Sequence, residues 1–341
     1  MNRKKIAVGI LVTAAALLIG WFYVHRPSQD RERVRERLLG RLPSDSTSVV
    51  YLDLNELRGS AFLARILAWA PKPTAEEEYE KFVQATGFDY ERDLDRVGIS
   101  VSGAPQNPRT MAIAEGRFDQ KKIATNSAHF GTLETANGKT IFAVTLSNPA
   151  RTVYFAFLGK DQVAICNDAS CFFEPSGKTA GADQWREHFL RMAGTPLFCV
   201  MRQDSALLSD LSHGAGGWKS PQLAGLLGQL QWISIGAKPD GDQLRVVAEG
   251  ESSNETTIRQ LNDMLGGLLI LAQAGLDDPK ASKQLAPDLR EAYRSLLKTA
   301  EVQKQDRGTT QSVRLILEIA PQLLESARGA LAADPPAPNR R

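Results

Sequence analysis

Residues 232–251 read WISIGAKPDGDQLRVVAEGE, and this stretch predicts the fold. Apolar and polar side chains alternate on both sides of Pro239-Asp240-Gly241-Asp242, and a period of two is typical of half-buried strands. Glycine inside a short polar turn accepts the positive φ that a tight hairpin needs. The stretch is therefore predicted to form two antiparallel strands joined at this turn.

The same pattern occurs earlier in the chain. Ile99-Ser100-Val101 matches Ile233-Ser234-Ile235, and Ala114-Glu115-Gly116 matches Ala248-Glu249-Gly250, both at an offset of 134 residues. The turn of the first copy is the looser Ala104–Pro108. The sequence therefore predicts an α+β fold class with two related antiparallel-sheet-plus-helix units after an N-terminal transmembrane helix.

Further elements follow from alternation and helical spacing around each hairpin. In the first unit we predict a strand at 49–54, a helix through Leu57–Leu67, an acidic helix around Glu76–Glu80, and a second hairpin of Thr152–Leu158 with Gln162–Cys166. In the second we predict a strand at 197–201, helices at 207–230, Glu255–Leu276 and Pro287–Gln305, a strand at Val313–Ile319 and a helix through Leu323–Leu331.

One of these helices carries a long apolar stretch, Met264–Leu276. It is too short to cross a bilayer, contains Gly266 and Gly267, and continues an amphipathic helix. We therefore interpret it as a buried core helix.

An uninterrupted apolar run, Ile6–Val24, follows Arg3, Lys4 and Lys5. A bilayer core of about 30 Å needs roughly 20 apolar helical residues, and the run is close to that length. It ends in Trp21-Phe22-Tyr23, and aromatic rings fit a membrane interface better than a peptidase site, which needs small residues. The run predicts an uncleaved membrane anchor, and a cleaved signal peptide is the alternative.

The charges on the two sides of the run bear on its orientation. Arginines follow it as well as precede it, and the positive-inside rule alone favours an N-terminus outside the cytoplasm. A long domain after a signal-like start crosses largely regardless of charge. We expect a single-pass protein of the inner membrane with its body in the periplasm, and the alternative is a cytoplasmic body that serves as an anchored adaptor.

These features divide the chain into a membrane anchor, a charged juxtamembrane stalk, two α+β units and a tail, with expected bounds 1–25, 26–41, 42–182, 183–333 and 334–341. The stalk is open to two interpretations, a solvated helix with Glu-to-Arg pairs or a helix that contacts anionic lipid. The formal net charge of +2 gives no reason to expect nucleic-acid binding.

Three cysteines, Cys166, Cys171 and Cys199, are too few for a disulfide framework. Cys166 and Cys171 are separated by turn-forming residues and could pair in an exported body. The alternative is that all three are small buried apolar residues. Their spacing does not favour a zinc site.

Several patterns resemble catalytic or metal motifs without their essential parts. His213–Gly217 resembles an esterase oxyanion loop, but no nucleophile elbow exists, and Gly216–Ser220 has Trp218 where a phosphate loop needs glycine. Ser295 and Lys298 lack the companion motifs of penicillin-recognising enzymes. The acidic residues between Asp89 and Asp95 lack the glycine and terminal glutamate of a calcium loop, and the four histidines, His25, His129, His188 and His213, have no ligand spacing. No catalytic residue, cofactor or metal ligand is predicted.

The start of the body, Leu42-Pro43-Ser44-Asp45, leads into the predicted strand Val49–Leu54 and then Leu57. This lead-in resembles uncharacterised bacterial envelope proteins that carry an N-terminal membrane anchor and a repeated α+β unit. The second unit departs from it with Thr195-Pro196. The resemblance implies an architecture and no active site.

Two functional hypotheses remain. The first is a non-enzymatic, membrane-tethered binding or scaffold protein that offers sheet faces, and a cleft between its units, to an envelope protein partner or a ligand. The second is a hydrolase-like envelope enzyme whose site is assembled from distant loops, with candidate positions around Asp89–Asp95 or His213.

Overall fold

The structure is a computed structural model of the 341-residue chain. It describes residues 32–62, 64, 77–104, 106–128, 131–136, 138–147, 150–172, 184–192, 194–205, 221–278, 287–308 and 310–323. The predicted anchor, 6–24, lies outside these residues. Among the helices that are described, none is long and apolar enough to cross a bilayer.

Contacts divide the chain into two units after Arg41. In the first unit, residues 32–39 form helix α1. Glu32 and Arg35 form an ion pair of 3.7 Å on this helix, at the i,i+3 spacing expected for a charged stalk.

The part of the chain after Arg41 contains one antiparallel sheet of twelve strands. The strands are β1 Ser48–Asp53, β2 Leu94–Ser102, β3 Arg109–Gly116, β4 Gly131–Ala136, β5 Lys139–Ser147, β6 Ala150–Gly159, β7 Gln162–Cys166, β8 Leu197–Arg202, β9 Trp232–Asp240, β10 Gln243–Ser252, β11 Glu301–Asp306 and β12 Gln311–Ile319. The helices are α2 Leu54–Arg58, α3 Glu77–Thr86, α4 Tyr90–Asp93, α5 Gln120–Ala128, α6 Gln184–Arg191, α7 Pro221–Leu227, α8 Glu255–Asp277 and α9 Pro287–Thr299. The predicted α+β class, with antiparallel strands and helices, is confirmed, and the strands of the two predicted units form one large sheet.

The order of strands repeats on the two sides of the sheet centre. Across the sheet the order is β11-β12-β10-β9-β8-β1-β2-β3-β7-β6-β5-β4. The first half of the sheet, read from the centre outward, is β1-β2-β3-β7-β6, and the second half is β8-β9-β10-β12-β11. Each half consists of a strand, then a hairpin, and then a later pair of strands in reverse chain order. The hairpin of β4 and β5 extends only the first half.

The two halves meet at the pair β1 and β8. Tyr51 lies opposite Phe198, and their rings stack with centroids 5.4 Å apart. Gly98 flanks this pair on β2 and Gly236 flanks it on β9, so neither neighbour carries a bulky side chain at that level. Phe189, on α6, packs on Phe198 with ring centroids 4.6 Å apart. Because β1 and β8 are hydrogen-bonded neighbours, the sheet is continuous here, and the cleft expected between the units does not occur in the described residues.

The predicted hairpins are confirmed, with one correction to the alignment of the repeat. Gly241 has a φ of 61°, as the tight second turn requires. Glu115 lies opposite Arg96, whereas Glu249 lies opposite Ser234, so the constant offset of 134 holds for β3 and β10 but not for β2 and β9. The reason is that the first turn is four residues longer than the second.

The predicted helix Pro287–Gln305 is wrong in its second part. Helix α9 ends at Thr299, and β11 follows as an edge strand paired with β12. Val302 lies opposite Leu315 and packs against the hydrophobic core beneath α8. Sheet pairing and this contact therefore decide the structure of a segment whose own sequence is polar.

The interpretation of Met264–Leu276 as a buried core helix is also wrong. Helix α8 begins at the cap residue Asn254, whose side chain accepts from two backbone N–H groups, and Ile258 and Leu261 are buried. The core cluster beneath α8 extends only to Leu265. Beyond that point Leu268, Ile270 and Leu271 are exposed, whereas Leu269 and Leu276 are partly buried.

Some helices and strands of the structure were not predicted, and some predicted segments lie where the structure describes no residues. The hairpin of β4 and β5 and the helices α5 and α6 were missed. The predicted helical residues 65–67, 207–211 and 324–331, and the tail 334–341, lie outside the described residues.

Candidate binding surface

A row of apolar residues crosses one face of the sheet. Residues directly opposite one another in neighbouring strands point to the same face, so the register defines the row. From β5 to β11 it consists of Phe142, Phe155, Ile165, Ala112, Ile99, Val50, Cys199, Ile235, Ala248, Leu315 and Val302. A face with this composition is expected to be covered.

In the second half of the sheet, helices cover this face. Leu223 and Leu226 of α7 and Ile258 and Leu261 of α8 form a buried cluster with strand residues such as Val313. The row members Cys199, Ile235 and Val302 pack against this cluster. This part of the row is therefore part of the protein core.

In the first half, the same face opens into a groove of about 780 Å³. Its lining consists of Thr110, Ala112, Thr152, Val153, Tyr154, Ile165, Cys166 and Asn167. Ile165 is 37% exposed although its strand, β7, lies in the interior of the sheet. On the opposite face Ile113, Ala164 and Ala156 are fully buried, so only one side of these strands is open.

The groove continues into aromatic side chains on β5 and β6. Phe155 lies opposite Ile165 and stacks on Phe142 at 4.7 Å with nearly parallel rings. Phe157 contacts Phe155 edge to face at 5.9 Å. Such aromatic pairs contribute beyond their buried area. They make a rigid apolar wall beside the open floor.

A disulfide bond lies at the edge of the groove. Cys166 ends β7 and is bonded to Cys171, with Cα atoms 6.5 Å apart. The next residue, Asn167, accepts from the Thr110 N–H at 2.8 Å and donates to the Pro108 carbonyl at 2.9 Å. Of the two interpretations of these cysteines, the structure has the disulfide. The bond and the asparagine together fix one rim of the groove.

Cys199 is a free thiol in the apolar row. Burial raises the pKa of this thiol to about 11. A thiol with a raised pKa is protonated at neutral pH and is a poor nucleophile. Cys199 is therefore a core residue.

The glutamate of the repeated Ala-Glu-Gly is buried in both halves, on the face opposite the groove. Glu249 is 1% exposed. Its Oε1 accepts from Arg307 Nη2 at 2.8 Å and Ser312 Oγ at 2.7 Å, and its Oε2 accepts from Arg314 Nη2 at 2.7 Å. Burial raises the pKa of this carboxyl, but the hydrogen bonds from Arg314, Ser312 and Arg307 outweigh burial and leave the pKa lowered.

Glu115 has a different set of partners. Arg96 donates to Glu115 Oε2 at 3.4 Å and to Asp53 Oδ2 at 3.0 Å, and Gln162 donates to Glu115 Oε1. Tyr51 donates to the same Asp53 oxygen at 3.3 Å. The arginine comes from the inner neighbour strand β2 here, whereas Arg314 comes from the outer neighbour β12. Both networks satisfy a carboxylate within the sheet.

A third buried network involves the only described histidine. His188 Nδ1 lies 2.8 Å from Glu251 Oε1, and Arg191 donates to the same oxygen. The His188 ring stacks on Trp232 at 4.4 Å. Burial raises the pKa of Glu251, and the hydrogen bonds from His188 and Arg191 lower it by more. No local pattern indicates this pairing, because the partners are 63 residues apart in the chain.

The acidic residues between Asp89 and Asp95 are engaged with arginines and a helix end. Asp93 accepts from Arg92 and Arg117, and the hydrogen bond from Arg92 is the main cause of its lowered pKa. Asp95 pairs with Arg58 at 3.4 Å, and Asp89 caps α4. In the described part of the chain, no group of three or more histidine, cysteine, aspartate or glutamate side chains could hold a metal ion.

The remaining candidates from the sequence are separated from the groove or cannot be placed. Ser295 and Lys298 both lie on helix α9, at its C-terminal end. His25, His129, His213, and the loop Gly216–Ser220 lie outside the described residues. The groove itself was missed because Ala112 and Ile165 have the composition of ordinary core positions, and no periodic signal distinguishes a covered strand face from an open one.

Comparisons with known proteins find only a weak similarity in fold between this chain and solved structures. No protein-family model and no curated protein matches the chain. Crystal form III of TP0453 is similar with a TM-score of 0.45 and 9% identity, over 86% of this chain and 97% of TP0453. Crystal forms IV and I each give a TM-score of 0.43 and 10% identity, over 85% and 86% of this chain and 95% and 97% of theirs. Similarity at this level assigns the chain to no family and carries no function.

Proposed function

We propose that this protein is a non-enzymatic, membrane-tethered binding or scaffold protein of the cell envelope. A single helix at 6–24 anchors it in the inner membrane, and its two related α+β units form a body in the periplasm. The open part of the apolar row, around Ile165, binds an apolar segment of an envelope protein partner.

One observation carries this proposal: among the described residues, the same apolar row is covered by α7 and α8 in one half of the sheet and borders an open groove around Ile165 in the other. Exposed apolar surface in a soluble body is unfavourable at about 25 cal/mol per Å², so its retention favours a surface used for binding. The groove lies along a sheet face with polar Thr110, Thr152 and Asn167 at its rim. An apolar floor with a polar rim is typical of a protein interface.

The relation between the two units is supported by the fold. The strand order repeats from the centre outward, and the pair Tyr51 and Phe198 is flanked by Gly98 and Gly236. Buried glutamates recur at Glu115 and Glu249. We infer a duplicated ancestral unit in which α8 and α9 of one copy correspond in chain order to α5 and the hairpin of β4 and β5 in the other.

The periplasmic location is supported by the disulfide between Cys166 and Cys171. Such bonds form and persist in oxidising compartments and are rare in the cytosol.

Photo-crosslinking in intact cells tests the binding surface. We expect a photoreactive residue at Val153 of the full chain to give one dominant crosslinked protein. Ile165→Glu in the same chain should reduce that crosslink about tenfold, because a buried unpaired charge costs well over the ~1.4 kcal/mol that a tenfold change in affinity represents.

The matched control is a photoreactive residue at Gln303 on β11, which is exposed at the far edge of the sheet. It should give no crosslink to the same protein. Equal crosslinking at Val153 and Gln303, or a crosslink at Val153 that survives Ile165→Glu, would contradict the proposed surface.

Thiol accessibility in cells tests the compartment. After denaturation without a reductant, we expect a maleimide reagent to modify one thiol per chain, Cys199, because Cys166 and Cys171 are bonded. After reduction, three thiols should react. Three reactive thiols without reduction would place the body in the cytoplasm.

A further inference from the structure

The C-terminal end of helix α8 has apolar side chains in contact with solvent. Leu268, Ile270 and Leu271 are exposed by 43%, 67% and 69%. At 100° per residue Leu268 and Leu271 lie about 60° apart and Ile270 lies about 100° from Leu271, so the three side chains share the solvent-facing side of the helix. A side chain added at Gly266, Gly267 or Gly275 would meet no atom within 4 Å, so the space around the helix end is open.

The composition of this end is unusual for an exposed helix. Residues 264–276 include no charged side chain, and Gln273 is the single polar one. An apolar helix face in contact with solvent is expected to be buried in a protein interior or in lipid. Among the described residues, the core cluster beneath α8 ends at Leu265 and does not cover this face.

We propose that this apolar end of α8, residues 264–276, docks on the surface of a lipid bilayer as a second membrane contact in addition to the tether. The proposal rests on the anchor proposed at 6–24 and goes beyond the groove and its partner. The bilayer is the favoured occupant because a chain anchored at 6–24 keeps its body within reach of lipid at all times.

Length and charge define how the helix end meets the bilayer. Thirteen residues extend about 20 Å, less than the ~30 Å of a bilayer core, so the segment cannot span it. Asp277 and Asp278 follow directly, and carboxylates are costly in the hydrocarbon region. The helix therefore lies in the interface with its apolar side chains in the acyl boundary and its acidic end in water.

Two polar contacts hold the neighbouring helix α9 against the apolar end of α8. Gln273 Nε2 donates to the Leu297 carbonyl at 2.9 Å, and Arg294 pairs with Asp277 at 3.6 Å. Tyr293 on α9 is exposed, and tyrosine is enriched at the level of lipid headgroups.

A second copy of the chain is a weaker candidate for the same surface. A stable protein interface buries about 800 Å² on each partner, which three exposed side chains on one helix end do not supply. A bilayer has no such minimum, because its affinity for a helix grows with each apolar side chain that enters it.

Quenching by lipid tests the proposal with the full chain reconstituted in vesicles of phosphatidylethanolamine and phosphatidylglycerol. An environment-sensitive dye is attached at Ile270→Cys, and lipids carrying nitroxide on the acyl chain serve as quencher. We expect at least about twofold quenching of this dye, because the side chain enters the acyl boundary. The control dye at Gln260→Cys, exposed on the same helix, should remain unquenched.

A pair of leucine variants separates lipid contact from general surface effects. Leu271→Gln should remove most of the quenching at position 270, whereas Leu190→Gln, at a leucine that is 57% exposed on α6, should leave it unchanged. An unquenched dye at position 270 would overturn the proposal. A dye shielded from water but not quenched by lipid, with crosslinks between copies, would overturn it in favour of self-association. None of these outcomes affects the crosslink at Val153, so the two proposals can fail separately.

Discussion

Replacing Glu249 with Gln should lower the free energy of unfolding by about 3–4 kcal/mol, because removing one partner of a buried ion pair leaves the others uncompensated. The Glu249 carboxylate accepts from Arg307, Arg314 and Ser312, and both arginines are largely shielded from water. Glutamine keeps the shape and one acceptor oxygen but loses the charge. Denaturant unfolding of the purified protein measures the change.

The matched control is Glu255→Gln, at an exposed glutamate on the first turn of α8 that pairs with Lys304 at 3.1 Å. Exposed ion pairs contribute little, so the unfolding curve of this variant should match that of the wild type. Similar losses in both variants would show that the burial of Glu249 adds nothing.

The effect of Glu249→Gln should also depend on pH. The pKa of Glu249 is lowered in the folded protein, so its contribution is present above the unfolded value, about 4.3, and is lost as the pH falls through the folded value. The difference between wild type and variant should therefore narrow below about pH 4. A difference that grows in acid would contradict the assigned direction of the shift.

Gly116→Ala should destabilise the fold by about 3 kcal/mol, a large effect for one added methyl group. A Cβ at this position would lie 2.2 Å from the carbonyl oxygen of Asp93. Asp93 is the last residue of α4 and directly precedes β2, whose register shifts between Leu94 and Arg96. Its carbonyl oxygen accepts from the Arg117 N–H at 2.8 Å. Relief of the clash therefore requires movement of two strands. The midpoint of denaturant unfolding measures the loss.

Gly250→Ala is the internal control, since Gly250 is the counterpart of Gly116 in the repeat. Its added Cβ would lie 2.7 Å from Leu230 Cδ1, the end of a side chain that can move. We expect a loss of about 1 kcal/mol, because a side chain yields more easily than a backbone carbonyl. Equal losses at the two glycines would show that the bulge near Leu94 is not rigid.

The repeated Ala-Glu-Gly illustrates how far sequence reasoning reached. Its recurrence was visible in the chain, and so was the hairpin that ends in it. The partners of its glutamates were not visible, because Arg96 precedes Glu115 by 19 residues while Arg314 follows Glu249 by 65. Which arginine reaches which carboxylate depends on strand order, and strand order is not local information.

In the segments 264–276 and 300–306, the local sequence led to wrong predictions. Their apolar and polar compositions suggested a buried helix and a helix end, and both interpretations were wrong. Leu271 is exposed because the core beneath α8 ends at Leu265, and Val302 is in a strand because β12 offers it an edge and a core contact. Local composition indicates the environment that a side chain prefers, but it does not indicate which distant segment packs next to that side chain.

The sequence by itself determined the α+β class, the two copies of the hairpin, and most strands from β1 to β12, because alternation and turn residues act over a few positions. Tertiary structure alone decided that both copies join one continuous sheet, that α7 and α8 cover one half of its apolar row, and that the other half stays open at Ile165. The physical reason is that a face is buried or exposed according to which distant segment packs on it.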